Sequence, residues 1–169
     1  MDILIVDGYN MIGAWPELIE LKKKDLAAAR DRLIELLADY QGFTGLKVIV
    51  VFDAYHVRGN EKKYLNHKVE VIYTKSEETA DERIEKLAME LHHIRNKIYV
   101  ATSDFTEQWV IFGQGALRIS ARELLKEIEN TERKIESRIE KTRVQAPTGK
   151  IILSQDLTEI FEKWRRGKK

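Results

Sequence analysis

The sequence predicts an α/β fold, a three-layer α/β/α domain around a mostly parallel central sheet, with a C-terminal helical extension. Two observations predict it. Apolar runs without polar alternation, at Ile3–Val6, Val48–Phe52 and Ile98–Thr102, suit strands buried on both faces of a sheet. Segments with apolar residues at helical spacing separate those runs, and the links are short, as in βαβ units.

The elements follow in order. Ile3-Leu4-Ile5-Val6 is a strand, and Gly8-Tyr9-Asn10 makes a turn. Leu26, Ala29, Leu33, Leu37 and Tyr40 mark one face of a helix that Gly42 and Gly45 close, with Lys22-Lys23-Lys24 as a solvated helix start. After the Val48–Phe52 strand, the polar segment 54–68 reads as an exposed loop or short helix, and Val69–Thr74 as a further strand. Thr79 and Glu82 form a capping box, opening a helix whose buried stripe is Ala80, Ile84, Leu87, Leu91 and Ile94. The Ile98–Thr102 strand precedes a short helix around Glu107–Ile111, ended by Gly113, and a short strand at Ala116–Ile119. Ser120 and Glu123 form a second capping box, starting a long charged helix to about Arg143 with Leu124, Leu125, Ile128, Ile135 and Ile139 on its apolar side. Pro147-Thr148-Gly149 breaks the chain. A last amphipathic helix carries Leu157, Ile160, Phe161 and Trp164 and ends in a basic tip that includes Arg165 and Arg166. Residues 1–143 make the domain, and 144–169 extend the same compact unit.

Composition bounds the function. A chain of 169 residues with 43% apolar content fills one core. The net charge of +1 gives no overall field for a polyanion, so nucleic-acid binding must rest on local basic patches. No apolar run is long enough to span a membrane, and Asp2 and Asp7 bracket a run too short for a signal peptide, so a cytoplasmic location is expected. The absence of cysteine excludes disulfides and thiolate metal sites.

Three of the apolar runs lead into an aspartate: Asp7, Asp53 and, after Thr102-Ser103, Asp104. If the strands are parallel neighbours, their C-terminal ends lie on one edge, where open α/β sheets place their sites. Carboxylates about 5 Å apart repel by roughly 3 kcal/mol per pair at an effective dielectric of about 20, so such a cluster needs a proton, a basic partner or a divalent cation. Oxygen ligands without cysteine or paired histidines point to Mg²⁺ or Mn²⁺, and hence to phosphate chemistry. Each acid also has an ordinary structural role open to it. Asp7 and Asp53 suit turns, Asp104 and Glu107 have N-cap spacing, and Asp81 favours its helix macrodipole. Asn10 suits a turn, or orients a water or a phosphate. His56, His67, His92 and His93 lack ligand spacing and read as surface residues.

Asp7-Gly8-Tyr9-Asn10 after a short strand, Val51-Phe52-Asp53, Thr79-Ala80-Asp81 opening a helix, and Thr102-Ser103-Asp104 after a strand together resemble the NYN domain, a branch of the PIN-like nucleases. Chain length and the long charged helix look most like the YacP-type bacterial members, and the resemblance covers nearly the whole chain. It implies a metal-dependent endoribonuclease with Asp7, Asp53, Asp81 and Asp104 at a Mg²⁺ or Mn²⁺ centre and Asn10 beside it. It further implies messenger RNA on the translating ribosome as substrate, and products with 5′-phosphate and 3′-hydroxyl ends. The chain departs from many PIN-like domains in carrying Thr106 where they have another acid. Arg58, Lys62, Lys63, Lys68 and Lys75, on segments feeding the same sheet edge, are the expected RNA-backbone contacts, with Arg165 and Arg166 at the C-terminal tip. Two rival classes share the acids: a non-catalytic RNA- or ribosome-binding module with a structural cation, and another Mg²⁺-dependent phosphohydrolase.

Overall fold

The computed structural model describes residues 1–54, 62–66, 68–103 and 115–145, with side chains for all of these except 62–66 and 143–145. In chain order the elements are β1 (Asp2–Asp7), α1 (Gly8–Ala14), α2 (Pro16–Lys24), α3 (Leu26–Thr44), β2 (Lys47–Phe52), β3 (Lys62–Asn66), β4 (Val69–Tyr73), α4 (Ala80–Glu90), β5 (Lys97–Ala101), β6 (Leu117–Ile119) and α5 (Ala121–Gln145). The strands form one sheet in the order β3-β4-β2-β1-β5-β6. All neighbours are parallel except β3, which runs antiparallel to β4 at the edge. The mixed α/β architecture agrees with the expected fold.

Side-chain alternation divides the sheet between two cores. Leu4, Val6, Val48, Val50, Phe52, Val71, Tyr73 and Ala101 pack against α1, α2, α3 and α5 on one face. Ile3, Ile5, Ile49, Val51, Ile72, Ile98 and Val100 pack against α4 on the other. The three central strands are thus covered on both sides, which is why their sequences show no polar alternation. Trp15, 2% exposed in the α1–α2 junction, donates its indole N–H to the Ala121 carbonyl at 2.8 Å and pins the start of α5 to that face.

Several local expectations are corrected. Gly8-Tyr9-Asn10 is the first turn of α1, capped by Asp7. Residues 16–24 form a separate helix opened by Pro16, so Lys22, Lys23 and Lys24 occupy its last turn, where the helix dipole favours cations, and are no helix start. Gly42 lies inside α3, and Gly45, at φ 78°, alone closes that helix in the left-handed conformation. Lys62–Asn66 is a strand where a loop or short helix was expected; it pairs on one side only, so its polar sequence meets no second buried neighbour. Helix α4 stops at Glu90 and leaves Ile94 96% exposed, outside the buried stripe. Helix α5 continues to Gln145. The expected short helix at 107–111, the break at Pro147 and the C-terminal helix lie outside the described residues.

Candidate functional site

The parallel register builds one edge. Asp7 pairs with Val51, and Val6 with Ala101, so β1, β2 and β5 end within a residue or two of one another. Alternation carries Asp7 onto the Ile3/Ile5 face and Asp53 onto the Ile49/Val51 face, which is the α4 face for both. Ladder spacings put their Cα atoms roughly 8 Å apart. Asp7 is 8% exposed, and its Oδ1 accepts the Asn10 backbone N–H at 3.4 Å as the N-cap of α1. Asp53 Oδ2 accepts the Ala80 N–H at 3.4 Å, drawing the N-terminus of α4 to the end of β2. Asp81, the next residue, is exposed in that first turn. Asp7, Asp53 and the helix start bearing Asp81 therefore share one side of one edge, whereas Asp104 lies outside the described residues. Among the described residues no group of three acids, histidines or cysteines stands close enough to hold a metal ion. The donor chemistry still fits a hard cation, since every candidate ligand is a carboxylate oxygen.

Four bonds fix the rim. Asn10 Oδ1 accepts the Ser103 N–H at 3.0 Å, so this side chain ties the first turn of α1 to the end of β5. Thr74 Oγ1 accepts the Ala54 N–H at 2.8 Å beyond the paired ends of β2 and β4. Thr79 Oγ1 accepts the Glu82 N–H at 3.2 Å, the helix cap expected from the T-x-x-E spacing. One residue earlier, Glu78 is 7% exposed and takes the Lys86 ammonium at 2.8 Å, clamping the approach to α4. Burial alone would raise the Glu78 carboxyl; the Lys86 hydrogen bond and charge outweigh it and hold the group below the usual carboxylate range.

On the opposite, α3 side of the edge stands an aromatic stack. The Tyr9 and Phe52 rings lie 5.0 Å apart and tilted, and the Phe52 and Tyr73 rings 5.4 Å apart and nearly parallel. Arg30 of α3 donates to the Tyr9 hydroxyl at 3.2 Å. Partial burial raises the Tyr9 hydroxyl above its usual pKa; Arg30 opposes that rise and the Asp53 charge adds to it. Gly8 makes the stack possible, because a Cβ there would stand 2.3 Å from Phe52 Cε1. Sequence reading missed Arg30, Phe52 and Tyr73 as neighbours of the acids. Arg30 follows the buried Ala29 by one position and carries no spacing signal, and the two rings read as ordinary strand residues.

The basic residues divide. Lys62 pairs with Tyr73 and Lys63 with Ile72, at the acid-bearing end of β4, and Lys75 follows that end. Lys68, left-handed at φ 71°, precedes the start of β4, and its carbonyl accepts from Gln41 near the C-terminus of α3. It therefore sits one strand length, about 17 Å, from the acids, at the opposite edge from that expected. Arg58, Arg165 and Arg166 lie outside the described residues. His92 and His93 are exposed, as expected; His56 and His67 lie outside the described residues.

Comparison with known proteins agrees with the fold. Residues 4–166 match the family described as the YacP-like NYN domain. The uncharacterized protein YacP of Bacillus subtilis is 64% identical over 167 residues, covering 99% of this chain and 98% of that protein. A crystal structure of Rae1 (YacP) from Bacillus subtilis is similar with a TM-score of 0.78 at 63% identity, over 99% of this chain and 96% of the other. Its W164L mutant gives a TM-score of 0.80 at 59% identity with the same coverage.

Proposed function

The chain belongs to the YacP-like NYN domain family, and on that premise we propose that it is a divalent-metal-dependent endoribonuclease, acting in the cytoplasm on messenger RNA engaged by translating ribosomes. One observation carries the reading: the parallel register sets Asp7 and Asp53 on the same face of one sheet edge, against the helix start that bears Asp81. Asp104, directly after Ser103, supplies the further carboxylate. These four residues would hold Mg²⁺ or Mn²⁺, which when bound lowers the pKa of a coordinated water and offsets phosphate charge.

The protein's own part is positional. Asp7, buried at the end of the central strand, is the fixed ligand, because its backbone belongs to the ladders with both β2 and β5. Asp53 links the ligand set to the N-terminus of α4, so that Asp81 follows any shift of that helix. Asn10 acts by holding Ser103, and with it the approach to Asp104; its Oδ1 is already engaged in that bond. Lys62, Lys63 and Lys75, with Arg58, Arg165 and Arg166, are the proposed phosphate contacts, and phosphate contacts of this kind position a strand without reading its sequence. Lys68 belongs to another edge and is left out of the set.

Pure protein supplied with Mn²⁺ is expected to cut RNA, either naked or on ribosomes, and Asp7→Asn is expected to abolish cutting while leaving the fold and RNA affinity in place. Intact RNA under both conditions with the native sequence would leave the binding-module alternative standing.

A further inference from the structure

We propose that Arg30 and Tyr9 form a phosphate subsite on the α3 side of the carboxylate edge, gripping a backbone phosphate of the bound RNA other than the one cleaved. The inference rests on the ribonuclease reading above. It begins from an imbalance of charge. Arg30 is half-buried, yet among the described residues it pairs with no carboxylate and makes one hydrogen bond, to the neutral Tyr9 hydroxyl at 3.2 Å. The Asp31 carboxylate, next in sequence, favours the charged form from beyond ion-pair distance, so the guanidinium keeps its charge while no acid occupies its fork. The other arginine of α3 is paired with acids: Arg32 meets Glu17 at 3.0 Å and Glu35 at 3.4 Å. At Arg30 one N–H is spent on orientation, and the remaining donors of the fork suit an anion that arrives with the substrate.

The position fits a strand crossing the edge. Tyr9 is two residues after Asp7, and its ring meets that of Phe52, the residue directly before Asp53. Its ring is wedged by Phe52, itself backed by Tyr73, so the hydroxyl that orients Arg30 sits on a side chain with little freedom to move. Asp7 and Asp53 lie on the α4 face of the edge, and Arg30, part-exposed on α3, stands beside Tyr9 on the other. A polynucleotide whose scissile phosphate meets the acids would thus present a neighbouring phosphate to Arg30. A cation is also needed there on electrostatic grounds, because the acids repel every phosphate except the one over the metal. Arg30 and Tyr9 are positioning residues in this scheme and touch no reacting atom.

The test is a binding measurement with the full chain in EDTA, where no strand is cut. The probe is a single-stranded RNA oligonucleotide, together with copies in which one phosphate at a time is replaced by a neutral methylphosphonate. The native protein is expected to lose about tenfold in affinity at one position. Arg30→Gln should lose about as much on unmodified RNA and nothing further at that position, with a salt slope lowered by about 0.7. Tyr9→Phe should show a smaller loss at the same position, and Arg30→Lys should recover part of the affinity without restoring the positional preference. Identical methylphosphonate profiles for the native protein and Arg30→Gln would overturn the subsite. Absence of any RNA binding by the native protein would overturn the subsite and the ribonuclease reading together. A parallel Mn²⁺ incubation separates the two: uncut RNA beside a profile that depends on Arg30 overturns cleavage alone, and cut RNA beside identical profiles overturns the subsite alone.

Discussion

The side-chain oxygen of Asn10 and the backbone N–H of Ser103 meet at 3.0 Å, joining positions 93 residues apart. This bond holds the first turn of α1 against the end of β5, the two places from which Asp7 and Asp104 depart. Asn10→Ala should therefore cost modest stability, about 1 kcal/mol, because Ser103 is exposed and water can replace the acceptor. Cleavage should fall far more than that figure implies. Asn10→Asp keeps an acceptor oxygen and should retain the strap, so paired melting and cleavage measurements on the two variants separate the geometric role from a chemical one.

Gly8 is confined by the ring behind it. Gly8→Ala would drive a methyl group into Phe52, which is fully buried, and should destabilise the fold by about 1–3 kcal/mol. Phe52→Leu in the Gly8→Ala background should return part of that loss, and denaturant unfolding of the two single variants and the double would reveal the coupling.

Cation binding at the carboxylate edge should appear as thermal stabilisation. At a Mn²⁺ concentration 100 times its dissociation constant the gain is about 2.7 kcal/mol, and Asp7→Asn or Asp81→Asn should diminish it. Equal melting temperatures with and without millimolar Mn²⁺ in the native protein would count against a metal at these residues.

Glu78 gives a pH signature. Its folded-state pKa lies below the unfolded value, so its contribution is complete above about pH 4.3 and is lost as pH falls through the folded value. The stability difference between the native protein and Glu78→Gln should hold from pH 7 to about 5 and narrow below pH 4. Urea unfolding at a series of pH values measures it. A difference that widens in acid would mean that the Lys86 contact does not set this ionisation.

Deleting residues 165–169 removes Arg165, Arg166, Lys168 and Lys169. RNA or ribosome association should weaken and its salt dependence flatten, with the melting temperature unchanged. An unaltered salt slope would reduce the tip to solubilising charge.

The sheet was legible because its central strands are buried on both faces and therefore read as unbroken apolar runs; the strand-end aspartates stood out against them. Helix α4 announced itself through Thr79 and Glu82, a local signal that tertiary packing left intact. What escaped detection depends on contacts distant in sequence. Strand β3, Lys-Lys-Tyr-Leu-Asn, takes its conformation from pairing with β4, and a polar edge strand has no periodicity to betray it. Gly42 breaks helices in isolation, yet it is carried within α3 by the packing of Leu36, Leu37 and Tyr40 around it. The acids of the site, and the sheet edge expected to gather them, were readable from the repeated strand-end pattern. Their shared face, the Asn10–Ser103 strap and the Arg30–Tyr9 pair all required the register of β1 against β2 and β5.

That register also sets a timetable. Strand β1 lies in the middle of the sheet although it is made well before both of its partners, β2 at 47–52 and β5 at 97–101. At about 5–20 residues per second, some 100 residues of synthesis take roughly 5–20 s, and for that interval β1 has at most one flank. Ser103 has not yet reached Asn10, and Asp104 has not yet been made. The edge that carries Asp7 is therefore completed late, when the second flank of β1 arrives.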